Sequence, residues 1–203
     1  MLEFANLTCA RGDRPLFQEL SFALAPGEMV HVQGANGSGK TTLLRTACGL
    51  SQPAAGEVRW DGISIHKLSD EYREKLCYVG HTNGIQGDLS AVENLRFGTC
   101  VGGAGSHAEI STALEQVGLT RVARLPAKLL SQGQKRRLAL ARLFVLARPL
   151  WVLDEPFTAL DVRFCGVMNE RLAAHLAQGG LVLITSHQEL PLTAGGRRIS
   201  LDH

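Results

Sequence analysis

Short apolar runs broken by turns dominate the first part of the chain. Leu2 to Leu7 and Leu20 to Leu24 read as two short strands, with Arg11-Gly12-Asp13-Arg14-Pro15 as the polar turn between them. Pro26-Gly27 turns the chain into Met29-Val30-His31-Val32, a continuous apolar run that predicts a short buried strand. Gly56 to Gly62 alternates and closes on Asp-Gly, a hairpin signal, and Lys75 to Gly80 reads as another buried strand. From about Leu89 to Leu146 the period becomes helical. Ser90-Ala91-Val92-Glu93 and Ser106-His107-Ala108-Glu109 each open a helix with a capping box, and the glycine-rich stretch Gly98 to Gly105 predicts a mobile loop between them. Strands then return as the runs Leu150 to Leu153 and Leu181 to Thr185, the mark of a parallel sheet covered on both faces. Asp161 to Gln178 is helical and stops at Gly179-Gly180, and Arg198 to Leu201 is a final strand. The pattern predicts one α/β domain. Residues 1–80 and 147–203 form its core with an N-terminal antiparallel β layer, and residues 81–146 form a helical subdomain.

Composition changes this picture little. A length of 203 residues suffices for one buried core, and a formal charge of +2 gives no argument for nucleic acid as a partner. The most apolar stretch, Leu138 to Ala147, is far short of the ~20 residues a spanning helix needs and contains Arg142. No secretory pattern precedes the first strand, so the chain is expected to be neither secreted nor itself membrane-spanning. Its five cysteines lack C-x-x-C spacing and suit buried free thiols in a reducing compartment.

The chemistry concentrates first in Gly34-Ala35-Asn36-Gly37-Ser38-Gly39-Lys40-Thr41-Thr42, which fits G-x-x-x-x-G-K-[ST] between a strand and a helical run, Leu43, Leu44, Ala47 and Leu50. The glycines let successive N–H groups turn inward round a phosphate at a helix N-terminus. Lys40 would reach the β- and γ-phosphates of a bound nucleotide, and the Thr41 hydroxyl would be a Mg²⁺ ligand. By itself the loop leaves kinase, GTPase, motor and transporter ATPase open. A second stretch, Leu130-Ser131-Gln132-Gly133-Gln134-Lys135-Arg136-Arg137, pairs a capping box at Ser131 and Gln134 with cations at the positive end of the helix dipole, which suggests an anion partner.

Leu130-Ser131-Gln132-Gly133-Gln134 resembles the signature loop of ABC ATPases, and Leu150 to Pro156 resembles their Walker B strand. Thr158-Ala159-Leu160-Asp161 is similar to the D-loop, and Ile184-Thr185-Ser186-His187 to the switch-histidine region. With the phosphate loop, these motifs cover most of the chain in the expected order. The resemblance implies an α/β P-loop NTPase fold, with a RecA-like parallel-sheet core, an antiparallel β layer and a helical signature subdomain. It also implies roles. Asp154 would hold Mg²⁺ hydration, Glu155 would act as general base on the attacking water, and His187 would hydrogen-bond the γ-phosphate. Asp161 would belong to the D-loop, or equally be the N-cap of the next helix. Ser131, Gly133 and Gln134 would cap the ATP held by a second copy of the chain, so two ATPs lie between two subunits.

Two positions depart from the common pattern. His81 stands where a glutamine is usual, and Arg11 stands where an aromatic residue usually stacks on adenine. Arg11 can stack through its guanidinium plane; the alternative is a loosely held base and poor nucleotide selectivity. Leu7-Thr8-Cys9-Ala10-Arg11, Tyr78-Val79-Gly80-His81, Asp154-Glu155-Pro156-Phe157, Thr185-Ser186-His187-Gln188 and Arg197-Arg198-Ile199-Ser200-Leu201 together resemble the ATP-binding subunits of bacterial haem exporters of cytochrome c maturation. That resemblance implies integral membrane transporter subunits as partners, a place on the cytoplasmic face of the inner membrane, and an indirect part in the haem pathway. No residue reports haem itself. The alternatives are an exporter of another substrate, a soluble non-transport ABC ATPase, and a nucleotide sensor that no longer hydrolyses.

Overall fold

The computed structural model describes residues 1–12, 14–100, 105–187 and 196–202. In chain order it holds β1 (Leu2–Arg11), β2 (Arg14–Leu24), β3 (Met29–Gln33), α1 (Lys40–Ala47), β4 (Ala55–Trp60), β5 (Ile63–Ser64), α2 (Ile65–Leu68), α3 (Asp70–Arg73) and β6 (Leu76–Val79). Then follow α4 (Ala91–Cys100), α5 (His107–Gln116), α6 (Gln132–Leu140), α7 (Arg142–Val145), β7 (Leu150–Asp154), α8 (Val162–Ala177), β8 (Leu181–Thr185) and β9 (Gly196–Ser200). Contacts divide the chain into two compact units. One comprises Met1–Tyr78, Arg148–Glu155 and Glu170–His203, and the other Val79–Ala147 and Pro156–Asn169.

The first unit has an antiparallel sheet in the order β2-β1-β4-β5. The hairpin strands β1 and β2 run well past the expected Leu7 and begin well before the expected Leu20. A break in alternation explains the difference. Leu2 and Phe4 are buried, then Leu7 and Cys9, because the register shifts between Phe4 and Leu7. Asn6 and Glu19 take left-handed φ angles of 48° and 52°. The inward face thus changes phase inside one strand, as a bulge makes it do.

A second sheet has the order β6-β7-β8-β3-β9, with β7–β8, β8–β3 and β3–β9 parallel. Every residue of β7 and β8 is buried, the apolar runs as expected and the closing Asp154 and Thr185 with them. Leu43, Leu44 and Ala47 of α1 join Val30, Val152 and Leu183 in the core. Each fully buried leucine there is worth about 1.5–3 kcal/mol against exposure. His175 of α8 stacks on Trp151 with ring centroids 3.7 Å apart, and burial pushes its imidazole down to about 4.

The second unit is helical. Both expected capping boxes form, at Ser90 with Glu93 and at Ser106 with Glu109. Helix α4 continues through Gly98 to Cys100, where a loop was expected, and residues 101–104 of that loop lie outside the described residues. The helix expected behind the Ser131 cap starts at Gln132, and its apolar run from Leu138 to Leu146 breaks at Ala141. The Ala141 N–H divides between the carbonyls of Arg137 and Leu138, at 2.9 and 3.3 Å, which tightens the turn and ends α6. Arg136 of α6 is buried and donates to the carbonyls of Gly80 and Pro156 and to Asn83 Oδ1.

Candidate nucleotide site

Parallel strands deliver their C-terminal ends to one edge of the sheet, and in the first unit the candidate residues follow those ends. The loop from Gly34 to Gly39 leaves β3, Asp154 ends β7, His187 follows β8, and Asp202 follows β9. Lys40 is the first residue of α1, with Thr41 and Thr42 behind it.

The loop has the shape a phosphate cradle needs. At Gly34 φ is 148°, and an added Cβ would lie 2.5 Å from Ser38 Oγ. At Gly39 φ is 104°, and an added Cβ would lie 3.0 Å from Leu16 and Phe17. Side chains are excluded at both places by conformation and by space. Ala35, Asn36 and Gly37 are exposed at the mouth. The Ser38 hydroxyl is buried with no hydrogen-bond partner among the described residues, as a group meant for a ligand can be. Lys40 Nζ donates to the carbonyls of Gly34 at 2.6 Å and Ala35 at 3.0 Å, which holds the ammonium over the loop.

Asp154 is buried, and both its oxygens accept hydrogen bonds. Thr41 Oγ1 donates to Oδ2 at 2.9 Å and Thr185 Oγ1 to Oδ1 at 2.8 Å. Thr185 also accepts the Glu155 N–H at 3.0 Å, so one hydroxyl sets the spacing of both acids. Glu155 takes a left-handed φ of 49°. Its Oε2 accepts the His187 N–H at 3.1 Å, and its Oε1 lies 3.6 Å from His187 Nε2. The general-base and switch-histidine candidates thus sit side by side. Behind them His31 is fully buried, with Nε2 donating to the Ser186 carbonyl at 3.0 Å; burial lowers its pKa and keeps the ring neutral.

Thr185 and His31 carry no role in the sequence reading. Their signal there is faint: a polar residue closing a buried strand, and a histidine inside an apolar run. Arg11 ends β1 opposite Arg14 and is exposed.

Ser131, Gly133, Gln134 and His81 belong to the other unit. The Ser131 hydroxyl accepts the Gln134 N–H at 3.2 Å and Gln134 Oε1 accepts the Ser131 N–H at 2.9 Å, which completes the expected capping box. Gly133 is close to Ala159, whose carbonyl would lie 2.9 Å from an added Cβ. Asp161 caps α8 through the Phe164 N–H at 2.9 Å and pairs with Arg137; that hydrogen bond, then the guanidinium, holds its carboxyl below the usual range. His81 is exposed beside the Gly80 carbonyl that Arg136 holds.

A strand–loop–helix cradle, with an Asp-Glu pair at the end of another strand of the same parallel sheet, defines a P-loop nucleoside triphosphatase. Residues 17–158 match the ABC transporter family. The chain is 50% identical over 194 residues to the cytochrome c biogenesis ATP-binding export protein CcmA of Nitrosomonas europaea, which covers 95% of this chain and 91% of that protein. The protein of the same description from Escherichia coli O157:H7 is 48% identical, covering 99% and 96%. Among solved structures, the dimeric structure of a bacterial ABC transporter cassette matches with a TM-score of 0.83 at 26% identity, covering 99% of this chain and 95% of that one. A dimeric post-hydrolysis cassette bound to ADP and Pi matches with a TM-score of 0.82, also at 26% identity, covering 93% and 88%. The chain belongs to the ABC transporter family, and it is an ATP-binding ATPase of that family. Among the described residues no helix is long and apolar enough to cross a membrane.

Proposed function

We propose that this chain is the ATP-hydrolysing subunit of a membrane transporter that serves haem export in cytochrome c biogenesis. The observation that carries the reading is the pairing of Thr41 with Asp154 and of Glu155 with His187 at one sheet edge, beside Lys40. In this reading the amides from Gly37 to Thr42 and the Lys40 ammonium bind the phosphates of ATP. Thr41 and Asp154 are oxygen donors of the kind Mg²⁺ prefers, and a magnesium site needs only one or two carboxylates beside the phosphates. Bound there, the ion would neutralise phosphate charge. Glu155 takes a proton from the attacking water, and His187 orients the γ-phosphate against it. Arg11 stacks on the adenine. His81 acts at the loop where glutamine is usual, through water rather than as a direct metal ligand.

Ser131, Gly133 and Gln134 serve the ATP of a second copy. The capped, cation-rich start of α6 supports this, since it offers an oriented amide end and positive charge to an anion. The dimeric cassettes among the structural relatives support the same assembly. Integral membrane subunits are the remaining partners, at the cytoplasmic face of the inner membrane. A groove in the helical unit lined by Asn83, Ile85, Asn94, Phe97 and Arg142, with Phe97 66% exposed, suits such a contact. The names of the relatives support the export of a component for cytochrome c assembly.

The test is purification from membranes with native partners, followed by haem delivery to an exported c-type cytochrome. A Lys40→Ala chain should assemble but not support delivery. Normal delivery by that variant, or no membrane partner in the purified complex, would sink the reading.

A further inference from the structure

The carboxylate of Asp202 accepts the Ala35 N–H at 2.7 Å, across 167 positions of sequence. The same peptide unit carries the Gly34 carbonyl, to which Lys40 Nζ donates at 2.6 Å. One peptide plane is therefore held from both ends, with an ammonium on its oxygen and a carboxylate on its N–H. Opposite charges at opposite ends match the direction of a peptide dipole, and each bond is charge-assisted. Reversing that plane would face the carbonyl to the carboxylate and the N–H to the ammonium, so both charges oppose the flip.

From this clamp we infer that Asp202 is a positioning residue for ATP binding, acting through the Gly34–Ala35 peptide to keep Lys40 aimed across the phosphate loop. Three further observations carry the inference. Leu201 N–H donates to the Gln33 carbonyl at 2.9 Å, which ties the chain before Asp202 to the residue before the loop. Ser200 Oγ accepts the Asp202 N–H at 3.1 Å, which fixes the backbone from which the carboxylate projects. An added Cβ at Gly34 would meet Asp202 Oδ1 at 3.2 Å as well as Ser38, so the carboxylate is part of what shapes the loop. A cavity of about 350 Å³ beside the loop is lined by Asn36, Ser38 and Asp202 and by Arg14, Pro15 and Leu16. Asp202 forms a wall of that space and bonds at the first turn of the loop, ahead of Gly37 to Thr42.

A carboxylate facing a bound triphosphate would repel it. The bond it makes argues for bracing: it engages an amide at the start of the loop, and the ammonium on the same peptide offsets its charge. The inference rests on the loop being the ATP site, and the test separates the two. ATP turnover of the full chain with its partners is measured for Asp202→Ala, Asp202→Asn and Lys40→Ala. Bracing predicts that Asp202→Ala raises the KM for ATP by about threefold to tenfold with little change in kcat. Asp202→Asn, which keeps an acceptor oxygen, should recover most of that loss. A lower KM in both Asp202 variants would overturn bracing in favour of repulsion, and an unchanged KM in Asp202→Ala would overturn it outright. Unchanged ATP affinity in Lys40→Ala, read by equilibrium nucleotide binding, would remove the loop as the ATP site and the brace with it. Amide exchange in the unaltered chain gives a measurement that needs no variant to fold: the Ala35 N–H should be protected without nucleotide, and an unprotected Ala35 would end the proposal.

Discussion

Asp154 and Ser131 are both expected at the γ-phosphate of an ATP, yet they are held in opposite ways. Asp154 is buried, and its bonds come from Thr41 and Thr185, which lie 113 and 31 positions away. Ser131 is exposed and is held by Gln134, three residues on. One half of the chemistry is a product of the assembled sheet and cannot precede it. The other is written into a single helix turn. Damage to tertiary packing should therefore remove acid–base chemistry first, while the signature turn survives longer.

Glu155→Gln gives the largest expected effect on this contrast. It removes the base and keeps the local hydrogen bonds, so turnover should drop by about 10²–10⁴-fold. ATP binding should persist, and phosphate release read beside size-exclusion in ATP should reveal a trapped dimer; normal turnover would take Glu155 out of the mechanism.

Acid comes next. His175 stays neutral in the fold because its pKa falls from 6.5 to about 4, so its contribution is complete above pH 6.5. Below that the unfolded chain takes the proton first, and about 3 kcal/mol is lost by pH 4. Capping bonds hold Glu93 and Glu109 below their usual value of 4.5, so the caps of the helical unit keep their charge through most of this window. Trp60 and Trp151 both lie in the first unit, so urea unfolding read by tryptophan fluorescence isolates it. A midpoint that does not move between pH 7 and pH 4.5 would contradict the assignment.

Thr185→Val tests the bridge between the acids. It deletes the donor to Asp154 and the acceptor for the Glu155 N–H, for an expected stability loss of about 1–3 kcal/mol with slower turnover. Full turnover in that variant would show that the acids hold their places unaided. Ser131→Ala, the smallest change, should cost about 1 kcal/mol. Faster amide exchange should stay within the first turn of α6, and a loss spread through the unit would mean that the turn is not local.

The same distinction governs what could be read from the letters alone. The strands Leu150–Asp154 and Leu181–Thr185 were legible because burial on both faces leaves an unbroken apolar run in each, up to the polar residue that ends it. The cradle at Gly34 to Thr42 and the boxes at Ser90, Ser106 and Ser131 were legible because each rests on residues within a few positions of one another. The strand β1 was read short, because its bulge near Asn6 shifts the alternation that marks a strand. Thr185, His31 and Asp202 were passed over for a different reason. A threonine that spaces two acids, or an aspartate that braces a loop, has no local signature; its partner is chosen by sheet order, and β8-β3-β9 is not a sequential order.

That order has a consequence for the life of the chain. The strand feeding the phosphate loop lies between two strands made long after it, β8 on one side and β9 on the other. During synthesis the loop emerges early and waits, with neither neighbour to define it, and contacts so distant in sequence form late and slowly. A nascent chain should therefore be blind to cellular ATP until its closing strands have been made. The timing of translation would by itself keep an unfinished chain from consuming fuel.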